Sequence, residues 1–273
     1  MSVEPSTLYS HEGWHVVHLF YSIDRPAWSM LSTEERLQAM TQLTQYVQDI
    51  RNYDRTQLLT FSMLTPKADL GFMMLTGDLH AANEFEKKLT VSLGQGVLQP
   101  VFTYLSMTER SEYTTTSQQF AAQLKTEGVT EDSEDFRAKK ADFETRMKKY
   151  MQDRLYPNMS DWPVFCFYPM TKRREGTDNW YALGFDARKK LMEGHARVGK
   201  RYHGKIRQLI TGSTGLDEWE WFVTLQAKDT FDIKAIVYEM RFDEVSARYA
   251  EFGDFLIGLQ LPLGEIFRRL CLR

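Results

Sequence analysis

The stretch HVVHLFYSI at residues 15–23 is rich in aromatic and β-branched side chains, and it predicts the first strand of the fold. A helix is expected next, because Ser32 and Glu35 have the spacing of a capping box and apolar residues then recur at nearly helical intervals up to Ile50. Residues 58–64 and 70–75 predict paired strands, 80–93 a second helix and 101–109 a further strand. The order is therefore strand, helix, strand, strand, helix, strand.

The rest of the chain repeats this order. It predicts a strand at 164–170, a helix at 185–203, strands at 206–212 and 219–226, a helix at 230–240 and a final strand at 252–260. Two sets of residues share the same mutual spacing: Trp28, Leu31 and Arg36, and Trp180, Leu183 and Arg188. A repeated split βαβ order predicts an α+β fold, in which two ferredoxin-like repeats form a dimeric α+β barrel within one chain.

Between the repeats lies a highly charged segment at residues 127–153 that carries apolar residues at helical intervals: Phe136, Phe143, Met147 and Met151. This pattern predicts a connecting helix with one apolar stripe. We therefore expect an N-terminal ferredoxin-like half at 1–126, the connecting helix at 127–153, and a C-terminal ferredoxin-like half at 154–273 that holds the functional site.

Composition limits the partners and the compartment. The chain of 273 residues has 34 Lys and Arg against 37 Asp and Glu, so no general electrostatic attraction draws it to nucleic acid or to an anionic membrane, and we expect neither partner. Two cysteines, Cys166 and Cys271, are too few for a disulfide framework. The first residues lack the pattern of a leader, and no apolar run approaches the ~20 residues that span a bilayer. We expect a cytoplasmic protein.

The segment YPMTKRR at residues 168–174 is the first candidate for chemistry. In a strand Tyr168, Met170 and Lys172 point to the same face, because side chains alternate with a period of two. A phenol, a thioether and an ammonium group then share one surface. Tyr and Lys are also ordinary surface residues at the ends of sheets, so this pattern alone leaves both interpretations open.

Other candidates are one histidine and several cations. His195 falls on the predicted helix, and a neutral imidazole is a common ligand of haem iron, although an ordinary half-buried histidine has the same signature. Several donors suit the carboxylates of a ligand but also suit plain surface ion pairs such as Arg241 with Asp243 or Glu244; these donors are Arg154, Tyr156, Lys172, Arg173, Arg174, Arg241 and Ser246. Trp180 and Trp221 are equally typical of a core.

The stretch from Tyr168 to Gly258, with YPMTKRR, DNWY, EGHARVGKRYHGKIRQLITGSTGLDEWEW and YEMRFDEVSARYAEFG, closely resembles the coproheme decarboxylases within the chlorite dismutase superfamily, of the Firmicutes-like type. The opening EGWHVVHLFYSIDRPAW is also similar to the first strand and helix of that family, so the resemblance spans nearly the whole chain.

The resemblance implies a role for individual residues. It makes His195 the proximal iron ligand, Tyr168 the residue that becomes a radical and takes a hydrogen atom from a propionate β-carbon, and Lys172 the residue that assists proton transfer at that propionate. Gln208 stands where chlorite dismutases place a distal arginine, which argues against chlorite dismutation because a neutral amide is a weaker donor to an anion. The resemblance also implies that Met170 and Trp180 line the pocket and that Trp221 supports the proximal side. The positions that it implies as propionate anchors are Arg154, Tyr156, Arg241 and Ser246.

The resemblance implies an enzyme that uses hydrogen peroxide to decarboxylate two propionates of coproheme and so forms haem b. It also implies a homopentamer and allows a transient contact with a ferrochelatase. Thr171 and Ala196 depart from the family pattern, which has Ser and Gly there. Three alternatives remain: a haem or coproheme carrier without turnover, a chlorite-degrading or peroxidase-like haem enzyme, and a structural oligomer without a cofactor.

Overall fold

A computed structural model describes residues 7–131 and 133–272 of the chain. The predictions made for residues 1–6, 132 and 273 lie outside the described residues. The chain divides into two compact units, the first formed by residues 1–108 and 159–273 and the second by residues 109–158. The predicted division at 126 and 153 follows the internal repeat instead, and it stays a prediction.

The first unit is built around one antiparallel sheet that closes into a barrel, since β5 pairs with both β9 and β7. Its strands are β1 His15–Ile23, β2 Thr56–Met63, β3 Leu70–Thr76, β4 Leu98–Thr108, β5 Val164–Lys172, β6 Ile206–Gly212, β7 Trp221–Ala227, β8 Ala250–Phe252 and β9 Leu256–Gln260. The predicted final strand at 252–260 is thus split, and its first piece pairs separately with the end of β5.

The strand order confirms the α+β prediction and shows the repeat. The first half contributes β4-β1-β3-β2, and the second contributes β9-β5-β7-β6. Numbered within each half and without the short β8, both orders are 4-1-3-2, as the split βαβ pattern predicts. The halves join at the β2–β9 and β4–β6 pairings.

Helices cover the outer face of the barrel. In the first half they are α1 Arg25–Met30, α2 Thr33–Arg51 and α3 Leu79–Val91, and in the second α6 Phe185–Lys200, α7 Thr230–Met240, α8 Glu244–Tyr249 and α9 Leu263–Arg269. The predicted capping box is present, because Ser32 and Glu35 exchange side-chain-to-backbone bonds at the start of α2. Among the described residues no helix is long and apolar enough to cross a bilayer.

The barrel interior is aromatic. Phe20, Phe61, Phe165, Phe167 and Phe222 are fully buried there, with ring centroids of Phe61 and Phe165 4.8 Å apart and those of Phe20 and Phe167 5.3 Å apart. The inward-facing residues of β5 therefore belong to this core, which leaves the alternate residues of that strand to the outer face.

The repeated Trp, Leu and Arg spacing corresponds to one local structure that occurs twice. The Leu31 N–H donates to the Trp28 carbonyl at 3.3 Å, and the Leu183 N–H donates to the Trp180 carbonyl at 3.2 Å. In each case the arginine of the following helix reaches back to a carbonyl of this turn; Arg36 binds that of Trp28 and Arg188 binds that of Leu183. The repeated spacing in the sequence therefore corresponds to a repeated local structure.

The second unit contains α4 Ser117–Thr126 and α5 Glu134–Leu155. The apolar stripe predicted for the connecting helix lies on α5, where Phe136 is buried and Phe143 stacks on Phe120 of α4 with ring centroids 4.1 Å apart. Helix α4 was not predicted from the sequence, so the residue that contacts this stripe was not named.

Candidate functional site

The alternation predicted for β5 is present. Cys166 and Tyr168 belong to the outer apolar cluster with Val223, Leu225 and the buried face of α7, and Met170 packs against that cluster. Lys172 follows on the same face and is buried, with 7% of its surface exposed.

Neighbouring strands extend this face. Met170 lies opposite Trp221, and Tyr168 lies opposite Val223 in the β5–β7 register. Gln208 of β6 lies opposite Leu225 and shares the side of the sheet taken by Ile206 and Ile210, which pack on the same outer cluster. Gln208 is exposed on this face, so its amide is available to a ligand.

Tyr168 lies in an apolar aromatic setting. Its ring stacks on Phe255 with centroids 4.5 Å apart and lies 5.9 Å from that of Phe252. The Arg241 guanidinium carbon lies 4.2 Å from the Phe252 ring centroid. Burial raises the pKa of the Tyr168 phenol well above its usual value, with Cys166 adding to the effect and Arg241 opposing it. The phenol therefore keeps its proton at neutral pH.

Lys172 is a buried cation. Its Nζ lies 4.5 Å from the centroid of the Trp180 ring, and Trp180 itself packs edge-on against Tyr249 at 5.4 Å. Burial lowers the pKa of Lys172 to about 8, although the carboxylates of Asp243 and Glu220 act in the opposite direction. This value places the lysine close to the range in which an amine can both donate and accept a proton near neutral pH.

His195 lies on α6 and is oriented by a carboxylate at the start of α8. Its Nδ1 is 2.8 Å from Asp243 Oδ2, and its side chain is 23% exposed. An imidazole whose Nδ1 is bonded to a carboxylate in this way presents Nε2 to a ligand. The pair is the arrangement that protein metal ligands commonly use.

Asp243 also connects His195 to the rest of the site. Its Oδ2 accepts the Ser246 N–H at 3.3 Å as the N-cap of α8. Burial alone would raise the pKa of Asp243, but the hydrogen bond and charge of His195, the Ser246 N–H and the Lys172 ammonium group outweigh burial and lower it. The carboxylate is therefore ionised beside both His195 and Lys172.

The ion pair suggested between Arg241 and Asp243 or Glu244 is not what the structure shows. Asp243 bonds to His195, Glu244 bonds to Arg248 at 2.9 Å, and the guanidinium of Arg241 lies over Phe252 instead. Arg241 is exposed at the end of α7 and stays accessible to a carboxylate ligand.

Glu220 is a residue of this region that was not predicted from the sequence. It is buried just before β7, and its carboxylate accepts the hydroxyls of Thr171 and Tyr181 and the backbone N–H of Lys172. No local motif indicates this, because its partners are 39 to 49 residues away in the chain. The one available signal is an acidic residue directly before an apolar strand.

Arg154 and Tyr156 belong to the second unit. Arg154 lies in the last turn of α5 and donates from Nε to the Glu109 carbonyl at 2.7 Å, and Tyr156 is the C-cap of the same helix. Their predicted contact with a propionate stays a prediction. Of the other predicted residues, five share the outer face of the sheet: Tyr168, Met170, Lys172, Gln208 and Trp221. Trp180 contacts Lys172, Arg241 lies over Phe252 beside Tyr168, and Asp243 links His195 to Ser246.

Comparison with known proteins assigns the chain to a family. A sequence model of the chlorite dismutase family matches residues 36–261. A solved structure described as a novel heme-binding protein from Thermus thermophilus is 34% identical, with 98% of each chain covered and a TM-score of 0.78. Chlorite dismutase from Candidatus Nitrospira defluvii in complex with imidazole is 20% identical over 95% of this chain and 96% of that one, with a TM-score of 0.70, a similarity of fold. The chain belongs to the chlorite dismutase family.

Proposed function

We propose that the protein is a coproheme decarboxylase, which uses hydrogen peroxide to convert two propionates of iron-coproporphyrin III into vinyl groups and so forms haem b. The observation that supports this proposal is that one face of β5 carries a buried protonated phenol at Tyr168 and a buried lysine at Lys172, and that Asp243, a carboxylate that acts on Lys172, also orients the imidazole of His195.

The donor set suits an iron porphyrin. His195 would ligate the iron through Nε2, since Asp243 holds Nδ1. Met170 and Trp221 give the sheet side of the site an apolar wall that a flat macrocycle can cover. When bound and treated with peroxide, such a group supplies the oxidising equivalents that no amino-acid side chain provides.

Tyr168 is the proposed relay between oxidant and substrate. Because its phenol is protonated, it gives up a proton and an electron together and is left as a phenoxyl radical. That radical takes a hydrogen atom from the β-carbon of a propionate. Loss of one further electron and of CO2 leaves the vinyl group, so each propionate consumes one peroxide, which is reduced to two waters.

Lys172 and nearby donors would bind the carboxylates. An ammonium group with a pKa of about 8 pairs with a propionate while it is charged and can move a proton at the reacting carboxylate. Four carboxylates on one ligand need several such groups, and we assign the other contacts to Arg154, Tyr156, Arg241 and Ser246, with Trp180 and Gln208 completing the pocket.

A second candidate is a haem or coproheme carrier without turnover, because the Thermus thermophilus relative is described as a heme-binding protein. Carriage alone requires His195 and the apolar wall. It does not explain why Lys172 is kept as a buried cation, although burial of that charge costs free energy of folding. Chlorite dismutation is less well supported, since Gln208 offers a neutral donor.

We also propose that the enzyme is a cytoplasmic homopentamer that receives coproheme by transient contact with a ferrochelatase. The homopentamer and the ferrochelatase contact follow from the resemblance of the sequence to the coproheme decarboxylases, whereas the cytoplasmic location follows from the small number of cysteines and the absence of an apolar run long enough to span a bilayer. Light scattering of the purified protein and cell fractionation test the first two, and cross-linking with a ferrochelatase tests the third.

The test of the mechanism is Tyr168→Phe. This variant should bind ferric coproheme as wild type does and, on addition of peroxide, leave all propionates intact by mass spectrometry. Tyr46→Phe is the matched control, because the buried hydroxyl of Tyr46 has no hydrogen-bond partner among the described residues and should be dispensable. Normal formation of haem b by Tyr168→Phe would refute the radical relay.

A further inference from the structure

Glu220 lies at the junction of three segments around Lys172. Its Oε2 accepts the Thr171 hydroxyl at 2.6 Å and the Lys172 backbone N–H at 2.8 Å. Its Oε1 accepts the Tyr181 hydroxyl at 2.6 Å. Only 6% of Glu220 is exposed, so this carboxylate has exchanged water for protein donors.

The three hydrogen bonds join the two segments that contribute Lys172 and its aromatic neighbour. Thr171 and Lys172 are the end of β5, whereas Tyr181 belongs to the short 3-10 turn Trp180–Ala182. That turn carries the Trp180 ring, which lies 4.5 Å from the Lys172 Nζ. One carboxylate therefore ties the backbone of the lysine to the segment that carries its aromatic partner.

We propose that Glu220 is a positioning residue for Lys172, which fixes both the lysine and the Trp180 turn and helps to keep the buried ammonium group charged. This proposal rests on the proposed function only for the role of Lys172 in binding and protonating a propionate. The placement and charge of the lysine can be measured without any ligand.

The charge on Lys172 depends on a small set of groups. The ammonium group is buried and lies against the Trp180 ring. The carboxylates that act on it are Glu220 from the segment before β7 and Asp243 from the N-cap of α8. Both carboxylates favour the charged form and act against burial. Removal of the Glu220 charge should therefore make Lys172 lose its proton at lower pH.

Glu220→Gln separates charge from geometry. The amide oxygen can still accept from Thr171 and Lys172, and the amide nitrogen can donate to the Tyr181 hydroxyl, so the ties persist while the charge is lost. Glu218→Gln is the matched control, because Glu218 is an exposed carboxylate two residues away.

The readout is pH-dependent labelling of Lys172 in the ligand-free protein by reductive methylation, with peptide mass spectrometry. The midpoint of labelling should fall by about one pH unit in Glu220→Gln and stay at the wild-type value in Glu218→Gln. A midpoint that Glu220→Gln leaves unchanged would overturn the proposal.

Tyr181→Phe provides a second measurement that stands even if Glu220→Gln does not fold. It removes one hydrogen bond of Glu220 and no charge, so the midpoint of labelling should stay at the wild-type value. The rate of labelling at fixed pH should rise about threefold, because the turn that carries Trp180 is held less firmly. An unchanged rate would refute the positioning role. Because no porphyrin is present, these results are independent of whether Tyr168→Phe confirms the decarboxylase mechanism.

Discussion

The bond between Asp243 and His195 predicts how tightly an iron porphyrin is held. Asp243→Asn removes the negative charge and keeps an oxygen that can accept from Nδ1, 2.8 Å away in the wild-type protein. Asn is also as good an N-cap as Asp, so α8 should begin at the same residue. The variant therefore isolates the charge on the partner of His195.

The size of the effect follows from the kind of hydrogen bond. A charge-assisted bond is worth about twice a neutral one, a difference of about 1 kcal/mol, so the affinity for ferric haem should fall about fivefold. The bound iron should also have a higher reduction potential, because the negative charge of Asp243, which favours the ferric form through the imidazole, is lost.

The assay is a haem titration of wild type and variant followed by Soret absorbance, with a spectroelectrochemical measurement of the potential. Glu244→Gln is the matched control, since that carboxylate bonds to Arg248 on the exposed surface. Wild-type affinity and potential in Asp243→Asn would show that His195 is not the iron ligand or that Asp243 does not tune it.

Three further predictions concern stability. Since burial lowers the pKa of Lys172 to about 8, the charged ammonium group destabilises the fold below that pH. Lys172→Met should therefore be up to about 3 kcal/mol more stable than wild type at pH 7, and this difference should disappear as the pH rises from 8 towards 10.5. Denaturant titrations that show the same difference at every pH would contradict this prediction. Burial lowers the pKa of His18 to about 3, so the free energy of unfolding of wild type should fall by about 1.4 kcal/mol per pH unit between pH 6.5 and 3 because of this residue. His18→Leu should not show this part of the loss when the two proteins are compared by acid unfolding. Phe222→Ala should cost about 3–5 kcal/mol in the barrel core, whereas Phe242→Ala, 73% exposed, should cost less than about 0.5 kcal/mol by thermal melting.

Most of the fold could be predicted because its strands and helices are locally encoded. The aromatic and β-branched run at 15–23 is β1, and the capping box at Ser32 marks the start of α2. The repeat was also visible, since the spacing of Trp28, Leu31 and Arg36 recurs with the same hydrogen-bonded turn. Patterns of this kind depend on neighbours along the chain.

The second unit shows where local patterns fall short. The stripe on α5 predicted a helix with a packing partner, but the helix that carries Phe120, on which Phe143 stacks, is only ten residues long and was not predicted. The split between β8 and β9 was missed as well, because the separate pairing of Ala250–Phe252 with β5 is set by tertiary contact.

The site residues were named from the sequence, whereas their supporting carboxylates were not. Asp243 was considered only as one of two possible partners of Arg241, because adjacent opposite charges are the simplest local partners, but its bond goes to His195, 48 residues away. Glu220 was not singled out at all. A carboxylate that serves a distant residue leaves no spacing in the sequence, so only the folded chain identifies it.

The most direct test of the proposed function is to mix the purified protein with ferric coproheme, add peroxide stepwise, and follow mass and absorbance together. The decarboxylase proposal predicts that two carboxyl groups are lost in sequence, through an intermediate with three propionates, and that the product has the mass and spectrum of haem b. Tight binding followed only by bleaching of the pigment would contradict it and favour a carrier.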